Sequence, residues 1–200
     1  MFTMTKTILA AVLVLSGFAS QAQTTRIRGT IESAQPNTVM VKLSDGTRSK
    51  LVLLPNATIV GVVKASLADI KEGAFIGSAA MPQPDGTQRA LEVHIFSEEM
   101  RGTGEGHRPY SPVPQSTMTN GATAGSAVKG VDGSTITIKY KGGEKKIVVP
   151  ADAPIVRYAT GSAGDLKPEA HFTVTAATKK QDGTYETNRI NVGRDGVVPQ

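Results

Sequence analysis

Apolar residues recur at every second position in two widely separated stretches. In TVMVKL, Val39, Val41 and Leu43 fall on one side and Met40 and Lys42 on the other; in TITIKY, Ile136, Ile138 and Tyr140 alternate with Thr137 and Lys139. A period of two marks a strand with one buried face, because successive side chains point to opposite sides. Each stretch opens a longer run, and the two runs match. NTVMVKLSDGTRSKLVLLPNATIV from Asn37 aligns with STITIKYKGGEKKIVVPADAPIV from Ser134, and ASLADIKEGAFIGSAAMPQPDGTQRALEVHIF aligns with GSAGDLKPEAHFTVTAATKKQDGTYETNRINVG. Lys50 falls on Lys146, Ile59 on Ile155, Asp69 on Asp165 and Phe75 on Phe172, at an offset of 96 or 97. The chain is therefore expected to hold two copies of one unit of roughly 70 residues.

Tight-turn pairs punctuate both copies: Asp45-Gly46, Asp85-Gly86, Gly142-Gly143 and Asp182-Gly183. Such pairs supply the positive φ angles of hairpin turns. Each aspartate stands without a second carboxylate at metal spacing, which favours turn chemistry over calcium loops. Ser66 with Asp69, and Ser162 with Asp165, form a weak capping box for a helix of a turn or two, ended by Gly73 and Pro168. The order in each copy is three strands, a short helix and two strands, the element order of an OB-type barrel. The expected fold is all-β: two tandem small OB-like five-stranded barrels over residues 23–97 and 119–194, each with one short helix between strands 3 and 4. Residues 98–118 form a Gly/Pro-rich linker and 195–200 a tail. The second copy departs from the first at KPEAHF, so its fourth strand is expected to be offset.

These pieces, GTIESAQPNTVMVKLSDGT, SLADIKEGAFIGSAA and ALEVHIF, resemble those of a family of exported bacterial proteins built from OB-like repeats. The resemblance covers nearly all of residues 26–193. It implies the barrel fold and carries no biochemical activity.

The N-terminus changes where the protein is expected to work. Lys6 precedes an apolar run from Ile8 to Phe18, then SQAQ places Ser20 and Ala22 at the small-residue positions of a cleavage site. This is the pattern of a signal peptide, residues 1–22, cleaved after Ala22. The run is shorter than the ~20 residues that span a bilayer, and no other segment is longer, so no transmembrane segment is expected in the mature chain. The expected location is periplasmic or secreted. The chain has no cysteine, which removes disulfides, thiolate metal sites and cysteine nucleophiles. A formal charge of +5 is mild and dispersed; its densest group is KYKGGEKK, the tip of a hairpin.

Candidate chemistry is sparse. His94, His107 and His171 are the bases on offer, and none lies in a nucleophile motif. Glu98 and Glu99 are adjacent, so on a strand they would diverge. No enzyme and no cofactor are expected. Aromatic residues make up 4% of the chain and tryptophan is absent, too few for the stacking platforms of single-strand nucleic-acid binding. The principal expectation is a non-catalytic binding or interaction module of the cell envelope, its partner an envelope protein or a polysaccharide. The alternative is a copper-type metal site, since thioethers suit Cu(I). Its candidates are Met81, His94, Met100, His107 and Met118, with Met100, His107 and His94 foremost. In MRGTGEGHRPYSPVPQ the three glycines lack the following helix that a phosphate loop needs, because prolines recur at 109, 112 and 114. A tether is the expected role, with Arg101, Arg108 and Tyr110 as candidate interaction residues.

Overall fold

The computed structural model describes residues 24–131 and 133–199; the expected signal peptide lies outside the described residues. The strands, in chain order, are β1 Thr24–Gln35, β2 Thr38–Leu43, β3 Arg48–Lys64, β4 Phe75–Pro82, β5 Gln88–Ile95, β6 Gly106–Pro109, β7 Thr117–Gly130, β8 Gly133–Tyr140, β9 Gly143–Val149, β10 Ile155–Thr160, β11 His171–Lys179 and β12 Tyr185–Gly193. The expected short helices are single 3-10 turns, Leu67–Asp69 and Ala163–Asp165. In each, the serine backbone N–H donates to the aspartate Oδ2 at 2.8 Å, as the Ser-x-x-Asp pattern implies. The Asp-Gly turns are closed as expected too: Thr47, Thr87 and Thr184 donate backbone N–H groups to Asp45, Asp85 and Asp182.

The pairing of strands departs from two tandem barrels. β1 pairs with β2 and β2 with β3; β1 also pairs with β11, β11 with β12, and β12 returns in parallel to β3, closing a five-stranded barrel. A second ring runs β5–β4–β7–β8–β9 and returns in parallel from β9 to β5. Each ring thus takes three strands from one copy and its last two from the other. The expected domains at 23–97 and 119–194 do not close separately. The cause lies in β3. Pro55 lacks an N–H, and Asn56 takes φ 65°, a left-handed angle that asparagine tolerates. The strand bends there and runs on to Lys64, where it pairs with β10. The next turn then lands under the other ring, with Leu67 packed against the core of Ile76, Val93, Ile136 and Ile147. In the counterpart turn, Leu166, the equivalent of Ile70, packs beneath Ile31, Val41, Leu51 and Phe172 of the first barrel.

The two copies are related by a local two-fold axis. In the antiparallel β3–β10 ladder Val60 lies opposite Thr160, Val62 opposite Tyr158 and Lys64 opposite Val156. By the repeat offset, Val60, Val62 and Lys64 correspond to Val156, Tyr158 and Thr160, so the ladder maps onto itself about the Val62–Tyr158 pair. The expected offset of the fourth strand is present: Phe172 pairs with Val192 and Gly29, the places that Ile95 and Gly121 hold around Ile76 rather than around Phe75.

Two glycines let the first strand of each ring pass close to its neighbour. A Cβ on Gly29 would lie 2.0 Å from the carbonyl oxygen of Lys42, and one on Gly121 would lie 2.1 Å from that of Lys139. The obstacle is backbone, which has nowhere to go. Gly29→Ala is expected to cost about 1–3 kcal/mol, measured by urea denaturation, against near neutrality for exposed Val198→Ala.

Candidate binding site at the junction of the two barrels

Strand alternation decides what each face of β5 meets. Val93 and Ile95 point into the second ring, so Glu92 and His94 point out. On an isolated barrel they would be wet. Here that face is covered by β3, β10 and two closing turns. Between the rings lies a small apolar core of Val60, Val62, Val156 and Tyr158, with Phe96, Met100 and Val197 against it. Met100 and Val197 are repeat equivalents. Each follows a turn in which its own N–H donates to the carbonyl three residues back, on Ser97 and on Arg194. The closing turn is therefore part of the repeat, although it falls in segments read from sequence as linker and tail.

Polar groups surround this core in a pseudo-symmetric set, Glu92 and His94 on β5 and Arg189 and Asn191 on β12. Side-chain exposure is 5% for Glu92 and 6% for His94. His94 Nε2 stands 2.5 Å from Glu92 Oε1 but outside hydrogen-bonding geometry. The Tyr158 hydroxyl lies 3.4 Å from His94 Nδ1. Burial, reinforced by the nearby charge of Glu92 and opposed by Arg189, pushes the Tyr158 phenol well above its ordinary pKa, so it stays protonated. Arg189 Nε donates to Asn191 Oδ1 at 3.3 Å, and its Nη2 lies 3.8 Å from Met100 Sδ.

Beside Glu92 opens a groove of about 1100 Å³. Its walls are the end of β3 with the following turn, the β9–β10 connection and the segment after β12. That last wall is held firmly. Arg194 donates from Nε and Nη2 to the two carboxylate oxygens of Asp165, at 2.7 and 2.9 Å, and from Nη2 to the Thr160 carbonyl. These bonds hold the Asp165 carboxyl below its ordinary pKa. Gly61 makes room, since a Cβ there would strike the Arg194 guanidinium. Thr173 Oγ1 donates to the Pro199 carbonyl at 2.7 Å.

The residues singled out from sequence are dispersed. Register places His107, Thr119, Ser78 and Val93 on the inner face of the second ring and Gly106, Asn120, Gly77 and His94 on the outer face. A sheet thus separates His107 from His94. Met100 shares the junction with His94, with a guanidinium beside its sulfur. Met118 is buried on β7, and Met81 lies near the end of β4. Among the described residues no three His, Asp or Glu side chains gather at metal spacing. Arg101 is taken up by Glu98 and the Gly73 carbonyl, Arg108 by the Gly104 carbonyl, and the Tyr110 ring by Arg26 at 5.9 Å. The expected tether is packed: β6 pairs along β7, Asn120 Nδ2 donates to the Thr103 carbonyl, and the Lys141 N–H donates to Glu105. Glu92, Tyr158, Arg189 and Asn191 were not singled out from sequence. Their signal was available in the repeat, which sets glutamate against arginine at equivalent positions.

Comparison with family models, with characterised proteins and with solved structures finds no match to the chain.

His107 sits at the mouth of the second ring, Nδ1 2.8 Å from Thr119 Oγ1, its ring nearly parallel to Tyr140. Burial, then the charge of Lys145, lowers its pKa from 6.5. Stability linked to neutral His107 is present above the unfolded value of about 6.5 and is lost as pH falls through the lower folded value. Thermal melts from pH 7.5 to 5 are expected to fall more steeply for the wild type than for His107→Gln.

Proposed function

We propose that the protein is an exported, non-catalytic binding module of the cell envelope, and that the groove beside Glu92 is its binding site. The observation that carries this reading is the groove itself: mostly apolar walls between strand ends and connecting segments, with carboxylates at the rim and the buried Glu92 along its lining. Its chemistry favours holding over bond breaking. No histidine lines it among the described residues, and the Ser66 hydroxyl is taken up in the helix cap by Asp69. We read the two rings as OB-like barrels, because each follows the order 1-2-3-5-4 with its third and fifth strands parallel. Export rests on the signal-peptide pattern and on the family resemblance. A partner protein of the envelope suits the groove better than a polysaccharide, since its walls offer few hydroxyl or amide groups to sugar. A copper site meets two obstacles, the sheet between His94 and His107 and the arginine beside Met100.

A thermal-shift series tests this, with short peptides, neutral and acidic oligosaccharides and Cu(I) as probes. A ligand at a hundred times its Kd adds about 2.7 kcal/mol. The expected result is a raised midpoint with a peptide that disappears in Ala151→Trp, an exposed position whose enlargement fills the groove, and that persists in Met100→Ala/His107→Ala. A shift confined to Cu(I) and lost in the double variant would replace this reading with the metal one.

A further inference from the structure

Glu92 is the group the rest of the molecule leaves unaccounted for. It is almost wholly buried, yet it lines the groove. Among the described residues its carboxylate accepts no hydrogen bond, and its contact with His94 Nε2 lacks hydrogen-bonding geometry. A carboxylate in that position has given up most of its water and has only the ill-aligned imidazole of His94 beside it, which is unfavourable until better-placed donors arrive. The two-fold relation supplies an internal comparison. At the equivalent position Arg189, half-buried, is bonded to Asn191 and lies against the sulfur of Met100. The repeat equivalent of Met100 is Val197, a shorter side chain, and it lines the groove together with Glu92. The other ionisable groups of the lining are Asp152 and Asp195 at the exposed rim, against one lysine, Lys64. The walls between rim and floor are apolar, with Val63, Leu67, Pro150, Pro154 and Ile155 among them.

Building on the binding-module reading, we propose that the groove takes an extended peptide segment of a partner protein, one of whose arginine or lysine side chains reaches down to Glu92. A guanidinium or ammonium group brings the donors that the carboxylate lacks, and its aliphatic stem suits the apolar walls. The volume of about 1100 Å³ exceeds what a single small cation would fill, since sites for drug-sized ligands run from about 300 to 1,000 Å³. The space left over fits flanking apolar residues of a chain, and the rim carboxylates add charge complementarity.

The test is fluorescence anisotropy on the full chain with a labelled Gly-Val-Arg-Val-Gly peptide and the same peptide carrying citrulline, which keeps the shape and removes the charge. The arginine peptide is expected to bind at least about tenfold more tightly than the citrulline one. Glu92→Gln is expected to weaken it about tenfold and Asp152→Asn about twofold. Should Glu92→Gln fail to fold by circular dichroism, the rim double variant Asp152→Asn/Asp195→Asn carries the test, with about threefold weakening expected. Equal affinity for the two peptides, no binding of either, or unchanged binding in these variants would overturn the proposal. Spermidine binding in place of the peptide would overturn the peptide as the source of the cation. If neither peptide binds but another probe still shifts the wild type and not Ala151→Trp, the cation assignment falls and the binding groove stands. If no probe does so, both fall.

Discussion

The structure depends on the antiparallel ladder between the second half of β3 and β10. Because that ladder maps onto itself about Val62 and Tyr158, it joins the two copies symmetrically and forces their chains to cross. Once β3 runs on past Asn56, the turn at Leu67 can reach only the far ring, and β4 and β5 must complete that ring. The same logic sends β11 and β12 back to the first. A small barrel on its own has a marginal core. Here neither ring exists without the other, and the crossing itself buries a third cluster that a tandem arrangement would lack.

That crossing also creates the site. Two strand faces that would be solvated on separate barrels are pressed toward one another, and both carry polar residues. Burial of like charges there would be costly. The chain meets this by placing glutamate at one equivalent position and arginine at the other, and the two charges act in opposite directions on the Tyr158 phenol. The asymmetry runs further: one polar group lies against methionine, the other borders a groove that valine also lines. The internal two-fold thus sets different side chains at equivalent positions, and the groove opens on the side that carries valine.

The inward faces of β2 and β8, the Asp-Gly turns and the Ser-x-x-Asp caps could be read directly, because each is decided by residues a few positions apart. The choice between tandem and exchanged strands could not. The two copies match, so β4 of either copy fits beside the first strand of either ring, and periodicity is identical for both outcomes. Glu92 and His94 carried the alternation of a wet face, and only packing between rings buries them. The stretch from Met100 to Gln115 had the composition of a spacer, yet its glycines serve turns and its short strand extends the sheet at β7. Composition reports backbone freedom there and says nothing of the edge that takes that freedom up.

Strand exchange between the copies is the central claim, and the absence of native cysteine makes it directly measurable. Thr30 pairs with His171 across β1 and β11, whereas a tandem barrel would set Thr30 near Phe75, which holds the place of His171 in the other ring. Oxidation of the pairs Thr30→Cys/His171→Cys and Thr30→Cys/Phe75→Cys, followed by peptide mapping, separates the two arrangements. An intramolecular disulfide in the first pair and free thiols in the second is the expected result. A disulfide in the second pair and none in the first would contradict the account.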